Sequence, residues 1–429
     1  MPSPPRRRRR RRPPSPARAV PRPRGRRGHA HLRPPVSAWS HSRRSAISGR
    51  LTLVVTVGKP PSPLSTSPRP RSGRYQVHTD HRRSHRPWAR LGGVTLVENL
   101  VAHVREAFGW SEDVVVSAGP RGALGQIWRL EVGPARYALK EIFAEPPSEP
   151  LIAAELAFAR RAAEAGVRLP ASHPDRAGRH LLETPEGTWL RLYDWIDSRP
   201  VEPAARSTPQ ELGTLLARLH RCAPAAVAEP AGGPPHPWYD RVPAADAWAQ
   251  VSESDTVWAA RLADRLATLP ELCAAVAPAD LSELIVCHRD LHPENVLADA
   301  AGELVVVDWG DFGPAAPGRE LAKVLFDWFC DGPADLGAMR AMYEAYVRAG
   351  GPGRIAEPAD FSMLVASRVN FLLLQTRVAV DPTAEQRHRE WAEREIDEAL
   401  RILPSPRQLA EVLELARAAE SSSPGRGAL

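Results

Sequence analysis

Cysteine is scarce in this 429-residue chain. Cys222, Cys273, Cys287 and Cys330 are scattered, and no two form a C-x-x-C pair. That argues against a disulfide or zinc framework and fits a reducing compartment. No apolar run reaches the ~18 residues needed to span a bilayer, so the sequence predicts a soluble, cytoplasmic protein with no membrane partner. No G-K-[ST] opens a helix, which excludes a Walker-type phosphate loop. Acidic residues are almost missing from residues 1–90, where Asp80 stands alone against 24 Lys and Arg, a net of +23. The whole chain has 57 basic and 50 acidic residues, so the remainder carries 33 against 49, a net of −16. The formal +7 thus hides an acidic domain behind a basic leader.

The leader, residues 1–92, holds an unbroken arginine run from Arg6 to Arg12, sixteen prolines and few large apolar residues. Such a composition cannot bury enough surface to offset its ordering entropy, which predicts a disordered extension. Leu51 to Val57 is its one strand-like island. Three roles compete: a nucleic-acid-binding arm, since arginine runs neutralise phosphates; a targeting peptide; or a translated upstream stretch outside the functional protein. The abrupt change of composition near Val94 favours the last. Nucleic acid is expected as a partner only through this segment.

From residue 93 the pattern becomes regular. Thr95 to Glu98 is a capping-box signature. Leu96, Leu100, Val104 and Phe108 follow at helical spacing, and Gly109 stops the helix. Strands are predicted from Asp113 to Ser117, Gln126 to Val132 and Arg136 to Ile142. Gly119, Gly122 and Gly125 punctuate the first turn, where backbone N–H groups could lie over phosphates; an ordinary hairpin turn reads the same. Lys140 sits on the third strand in Tyr-Ala-Leu-Lys, where a kinase places the lysine that holds the α/β-phosphates. A helix from Pro150 to Ala165 carries Glu155, fifteen residues on, as that lysine's expected ion-pair partner. A hairpin follows, from His180 to Glu183 and from Thr188 to Ile196.

The most informative stretch is Cys287-His288-Arg289-Asp290-Leu291-His292-Pro293-Glu294-Asn295-Val296-Leu297, followed by Val305-Val306-Val307-Asp308-Trp309-Gly310-Asp311. Apolar residues bracket both, so the polar groups fall on tight turns between short buried strands, where loops hold side chains rigidly at a cleft. Asp290, Asn295 and Asp308 carry the oxygens that hard cations such as Mg²⁺ take beside substrate phosphates. The order H-x-D, Asn five residues later, then Asp before Gly at a strand end is the phosphoryl-transfer pattern. It assigns Asp290 to the acceptor hydroxyl, Asn295 and Asp308 to Mg²⁺, and Lys140 to phosphate charge, with ATP as the donor. His288 is expected to orient the loop, His292 to face the acceptor or pack, and Asp311 to support the metal site.

The wording HRDLHPENVLAD…VVVDWGD resembles the aminoglycoside phosphotransferase family over about residues 110–350, and LGTLLARLH, containing His220, resembles a helix of that family. The resemblance implies an α+β, protein-kinase-like two-lobed fold. A small, mostly antiparallel sheet lobe (93–195) would bind nucleotide, and a larger helical lobe (196–429) would hold the catalytic groups and the acceptor. It also implies a hinge for adenine at Leu192 to Trp195, with Tyr193 as the candidate. Two departures stand near the cleft: the family usually has Gly where Arg289 stands, and often Asp where Glu320 stands. Between Asp308 and Leu321 there is no Ser, Thr or Tyr. An activation segment with a phosphosite is therefore absent, and a small hydroxylated acceptor, an antibiotic or a metabolite, is the better expectation than a protein. The acidic domain would suit a cationic acceptor. A catalytically silent nucleotide-binding scaffold is the alternative.

The carboxy-terminal half is expected to be helical over 319–330, 334–349, 358–377, 383–402 and 406–419, with residues 223–243 forming an exposed loop on the acceptor side.

Overall fold

The computed structural model describes residues 52–53, 92–121, 125–142, 146–185, 187–226, 234–252 and 256–421. The expectation of disorder over 1–92 therefore lies, apart from Thr52–Leu53 and Gly92, outside the described residues. Gly122 lies outside them as well.

Runs rich in Val, Leu and Ile build the first sheet. β1 (Thr52–Leu53), β2 (Val114–Arg121), β3 (Gly125–Val132) and β4 (Ala135–Ile142) are successive antiparallel neighbours. Gly133, at φ +55°, turns β3 into β4. After α1 (Gly92–Phe108), which precedes β2, and α2 (Glu149–Glu164), the chain adds β5 (Ser172–His173), β6 (Leu182–Glu183) and β7 (Trp189–Asp194). β7 lies beside β4, with β5 and β6 paired to it. Val101 and Val104 of α1 pack with Val114, Val116, Leu130, Leu139, Leu190 and Leu192. Strand alternation puts Leu139 into that core and Lys140 on the opposite face. α1 begins three residues before Thr95, so the expected capping box falls inside the helix rather than at its start.

The expected lobe boundary near residue 195 falls in the link between β7 and β8 (Ser198–Pro200). The rest is mainly helical: α3 (Thr208–Cys222), α4 (Pro237–Asp240), α5 (Ala249–Ser252), α6 (Ala259–Cys273), α7 (Pro317–Phe329), α8 (Leu336–Arg348), α9 (Ser362–Val380), α10 (Gln386–Ile402) and α11 (Pro406–Ser421). Two small antiparallel sheets hold the polar loops among these helices. β10 (Val296–Asp299) pairs with β8 and with β11 (Leu304–Val306), and β9 (Ile285–Cys287) pairs with β12 (Gly313–Ala315). α3 and α8 approach so closely at Gly213 that a Cβ there would lie 2.3 Å from the Met342 carbonyl oxygen.

α9 with its preceding turn, Pro358–Val380, is long and apolar enough by mean hydropathy to cross a membrane, although no uninterrupted apolar run spans it. Arg368 and Arg377 interrupt the run without lowering the mean enough. Of the most apolar 18-residue window within it, 72% is buried inside the fold.

Candidate active site

The loop between β9 and β10 carries His288 to Asn295, and the turn after β11 carries Asp308. Among the described residues, Arg289 (φ +67°) and Asp308 (φ +56°) are the non-glycine residues in the left-handed region. That conformation costs an L-residue about 1–2 kcal/mol. Glycine, which adopts this conformation freely, would cost less at position 289. Here the arginine side chain compensates. Its Nε donates to the Asp311 carbonyl at 2.5 Å and its Nη2 to the Phe312 carbonyl at 2.9 Å. The guanidinium lies 4.8 Å from the centre of the Tyr239 ring. It also fills the space over Gly313, where a Cβ would meet it at 2.7 Å.

The Arg289 backbone N–H donates to Glu320 Oε1. Glu320 Oε2 is 2.7 Å from His220 Nε2, and His220 Nδ1 is 2.7 Å from the Tyr346 hydroxyl. Burial alone would raise the Glu320 pKa, but the hydrogen bond and charge of His220 hold it below its ordinary value. This network ties α3, α7 and α8 to the loop between β9 and β10. Cys287 completes a buried His–Cys–Glu group that resembles a metal site. Both ring nitrogens of His220 are already engaged, so the group acts as a structural anchor for the loop.

Asp290 is buried, 3% exposed. Its Oδ2 accepts from Asn295 Nδ2 at 2.8 Å and lies 3.2 Å from His292 Nε2. Its Oδ1 is 3.6 Å from Lys323 Nζ. Burial would lower the pKa of His292, yet the Asp290 carboxylate raises it above the usual histidine value. Burial would likewise lower that of Lys323, and Asp327 and Asp290 raise it. His288 is buried, which holds its imidazole below its ordinary pKa, and it packs edge-on against Trp309 at 5.1 Å. The Asn295 amide nitrogen faces both the carbonyl and the carboxylate of Asp290. The Val307 N–H donates to the Asn295 carbonyl at 2.9 Å, which brings Asp308 alongside. The oxygens of Asn295 and Asp308 are the donor types that fit a hard divalent cation.

Asp308 Oδ1 accepts from Lys140 Nζ at 2.7 Å. Burial would raise the Asp308 pKa, and the lysine charge holds it below the usual carboxylate value. The expected Lys140–Glu155 pair does not form. Glu155 binds Arg191 Nη1 at 2.7 Å, with both side chains about 5% exposed or less. The reason is register: Arg191 on β7 stands opposite Lys140 on β4, and each cation takes its own carboxylate.

Tyr193 is half-buried on β7, opposite Ala138, and the Trp195 N–H behind it donates to the Arg136 carbonyl at 3.1 Å. Gly119 lies within β2 rather than in the turn, and its carbonyl accepts from Gln126 Nε2 at 2.9 Å. Gly125 opens β3. Asp311 accepts from the Tyr239 hydroxyl at 3.5 Å and lends its carbonyl to Arg289. Trp238 and Tyr239, expected on an exposed loop, are each 4% exposed in α4. They line a cavity beside Asp290, together with Lys323, Arg368 and Phe371.

Lys323, Arg368 and Arg191 were not singled out from the sequence. Lys323 lies in an amphipathic helix, where a charged residue ordinarily faces solvent, so only packing reveals it; Arg368 stands inside the apolar run of α9, a sign of burial that says nothing of its partner. Arg191 alternates with apolar neighbours in its strand, a pattern that places it on the Lys140 face.

A family model described as "Phosphotransferase enzyme family" matches residues 116–358. No curated protein matches the sequence. Among similar solved structures, a spectinomycin phosphotransferase in complex with ADP and spectinomycin is 14% identical. The match covers 75% of this chain and 98% of that one, with a TM-score of 0.50. A microcompartment-associated aminopropanol kinase is 18% identical over 77% and 98% of the two chains, also at 0.50. At such identities the likeness is one of fold: a protein-kinase-like antiparallel sheet lobe followed by a helical lobe.

Proposed function

Because the chain belongs to the phosphotransferase enzyme family, we propose that it moves the γ-phosphoryl group of ATP to a hydroxyl of a small molecule. The acceptor is an aminoglycoside-like antibiotic or another hydroxylated metabolite, and the reaction takes place in the cytoplasm. The observation that carries this reading is the buried Asp290, oriented by Asn295 and His292 and adjoining the Asp308–Lys140 pair.

Asp290 orients the acceptor hydroxyl and takes its proton. The acceptor oxygen bonds to phosphorus while the bond to the β–γ bridging oxygen breaks and ADP departs. Asn295 holds the Asp290 carboxylate in one rotamer through its amide nitrogen, and its oxygen would be a ligand for the cation. Asp308 would be the charged oxygen ligand beside it. When bound, Mg²⁺ supplies charge neutralisation at the phosphate oxygens. Lys140 exchanges the Asp308 carboxylate for phosphate. The backbone of the segment that includes Tyr193 is the adenine-facing candidate, and the strands at Gly119 and Gly125 cover the phosphates. Phosphoryl transfer asks mainly for positioning and charge stabilisation, and these groups supply both.

Asp290→Ala should abolish transfer while nucleotide still binds. Steady-state turnover and calorimetry with Mg-ATP on the purified variant check this. Retention of even about a tenth of wild-type turnover would overturn the assignment, since a positioned base contributes roughly 10²–10⁴-fold. Loss of the acceptor role with persistent nucleotide binding in the wild type itself would favour the silent scaffold instead.

A further inference from the structure

One helix grips the loop that carries Asp290 at three consecutive residues. Glu320 of α7 accepts from the Arg289 backbone N–H, Lys323 Nζ lies 3.6 Å from Asp290 Oδ1, and Trp328 Nε1 donates to the Leu291 carbonyl at 2.7 Å. The middle contact reaches the side chain assigned to the acceptor's proton. Lys323 stands one turn before Asp327 on the same face of α7, and its Nζ donates to Asp327 Oδ2 at 2.7 Å. Arg368 of α9 donates to the other oxygen, Oδ1, at 3.0 Å, and to the Ile402 carbonyl at the end of α10. The result is a chain of alternating charge, Asp290–Lys323–Asp327–Arg368, in which every side chain is 5% exposed or less.

The charges in that chain balance, two cations against two carboxylates. Asp327 alone serves two cations, so the charge of Lys323 is balanced only when Asp290 is counted. Burial would lower the Lys323 pKa, and the two carboxylates, Asp327 first, raise it above the ordinary lysine value. The ammonium therefore stays charged and attracts Asp290 through surroundings that water and salt screen little. Asn295 Nδ2 and His292 Nε2 address Oδ2 of Asp290, whereas Lys323 addresses Oδ1. The terminal torsion of an aspartate is otherwise broad, so a pull on each oxygen is what keeps the carboxylate in one orientation.

We propose that Lys323 is a positioning residue for phosphoryl transfer. It holds the Asp290 carboxylate in the orientation from which it meets the acceptor hydroxyl, and Asp327 and Arg368 hold Lys323 in turn. The inference rests on the phosphotransferase reading above and adds to it a residue that acts through the base. A displacement of about 1 Å at a reacting group can cost about a hundredfold in rate, so the effect falls on turnover and not on nucleotide binding.

The test uses the full chain with Mg-ATP and water as the acceptor. The water oxygen bonds to the γ-phosphorus, the bond to the bridging oxygen breaks, the proton goes to Asp290, and ADP and phosphate leave. ADP release and Mg-ATP calorimetry are measured on wild type, Lys323→Met, Asp290→Asn and the double variant. Lys323→Met should lower kcat at least about tenfold, with KM for Mg-ATP within about twofold of wild type. In the Asp290→Asn background the same change should alter the residual rate by less than about twofold, because a residue that acts through Asp290 has nothing left to act on. A crystal structure of Lys323→Met should show the Asp290 carboxylate turned from its wild-type orientation. An equal loss in both backgrounds, an unchanged kcat or an unmoved Asp290 overturns the inference. Should Lys323→Met fail to bind Mg-ATP, Lys323→Gln, which still donates to Asp327, replaces it with the same expected outcomes. A wild-type chain that neither binds Mg-ATP nor releases ADP sinks the phosphotransferase reading itself, whereas the crystal comparison still decides whether Lys323 fixes Asp290.

Discussion

Lys140 and Arg191 stand directly opposite each other across the antiparallel pairing of β4 and β7. Opposed residues on neighbouring strands share a face with Cβ atoms about 5 Å apart. Two cations so placed repel, and the fold answers with two carboxylates from different directions. Glu155 comes down from α2 to Arg191, and Asp308 comes up from the turn after β11 to Lys140. Lys140 thus bridges the sheet directly to the turn after β11, and α2 is fixed to the sheet by an arginine instead.

The Arg191–Glu155 pair is buried, so removing one partner leaves a charge without compensation. Arg191→Met should destabilise the protein by about 3–5 kcal/mol, and Arg191→Met with Glu155→Met should recover most of that loss. Urea unfolding of the two variants checks it. A single variant as stable as wild type would mean that Glu155 finds Lys140 once Arg191 is gone, which nucleotide affinity would then register.

Asp308→Asn removes a charged oxygen at the cation position and the counter-ion of Lys140. It should weaken Mg²⁺-ATP far more than metal-free ATP, because asparagine is a poorer ligand for a hard cation. Calorimetry with and without Mg²⁺ separates the two. Equal losses would remove Asp308 from the metal role.

Glu395 on α10 is 1% exposed, and its Oε2 has no hydrogen-bond partner. Burial, helped by Glu398 and Glu294, pushes its pKa up to about 8 from 4.5. A carboxyl whose folded-state pKa is raised stays protonated in the fold while the unfolded chain ionises, so stability falls as pH rises between about 4.5 and about 8. Glu395→Gln should flatten that part of the profile and raise the melting temperature near pH 7.5, with little change near pH 4.5. Thermal melts of both proteins across this window check the sign. A steeper fall in the variant would contradict it.

The amino-terminal extension should be separable in two steps. Composition makes residues 1–50 dispensable, so their deletion should leave the melting temperature and turnover unchanged at low and moderate salt. Thr52 and Leu53, however, pair with Ser117 and Val116 at the edge of β2. Deletion of residues 1–91 should therefore lower the melting temperature by about 1–2 °C, the shift expected for roughly 1 kcal/mol in a domain of this size. A large drop after the first deletion would make the arginine-rich segment a structural part of the enzyme.

Local chemistry made much of this protein legible from its residues. The alternation around Lys140, the stop at Gly109, and the spacing of Asp290, Asn295 and Asp308 each reflect backbone geometry within a few positions. The helices expected over 319–330, 334–349, 358–377, 383–402 and 406–419 appear within a few residues of those bounds. A buried stripe repeats every turn regardless of what it packs against. Partners were another matter. Glu155 was assigned to Lys140 because order along the chain permits it, but the register of β4 on β7 offered a nearer cation, Arg191. Lys323 has the sequence pattern of an ordinary surface charge, and Arg368, set inside an apolar helix, gives no hint of its partner. They are buried because α7 and α9 cross beside Asp327, 41 residues from Arg368 in sequence. Arg289, where glycine would cost less, is tolerated only because Asp311, Phe312, Gly313 and Tyr239 converge on its guanidinium from two separate segments. Sequence determines what a residue can do and which way its own strand or helix points it. Which charge meets which is decided when distant segments are packed together, because only then does burial make an unpaired group too costly to leave alone.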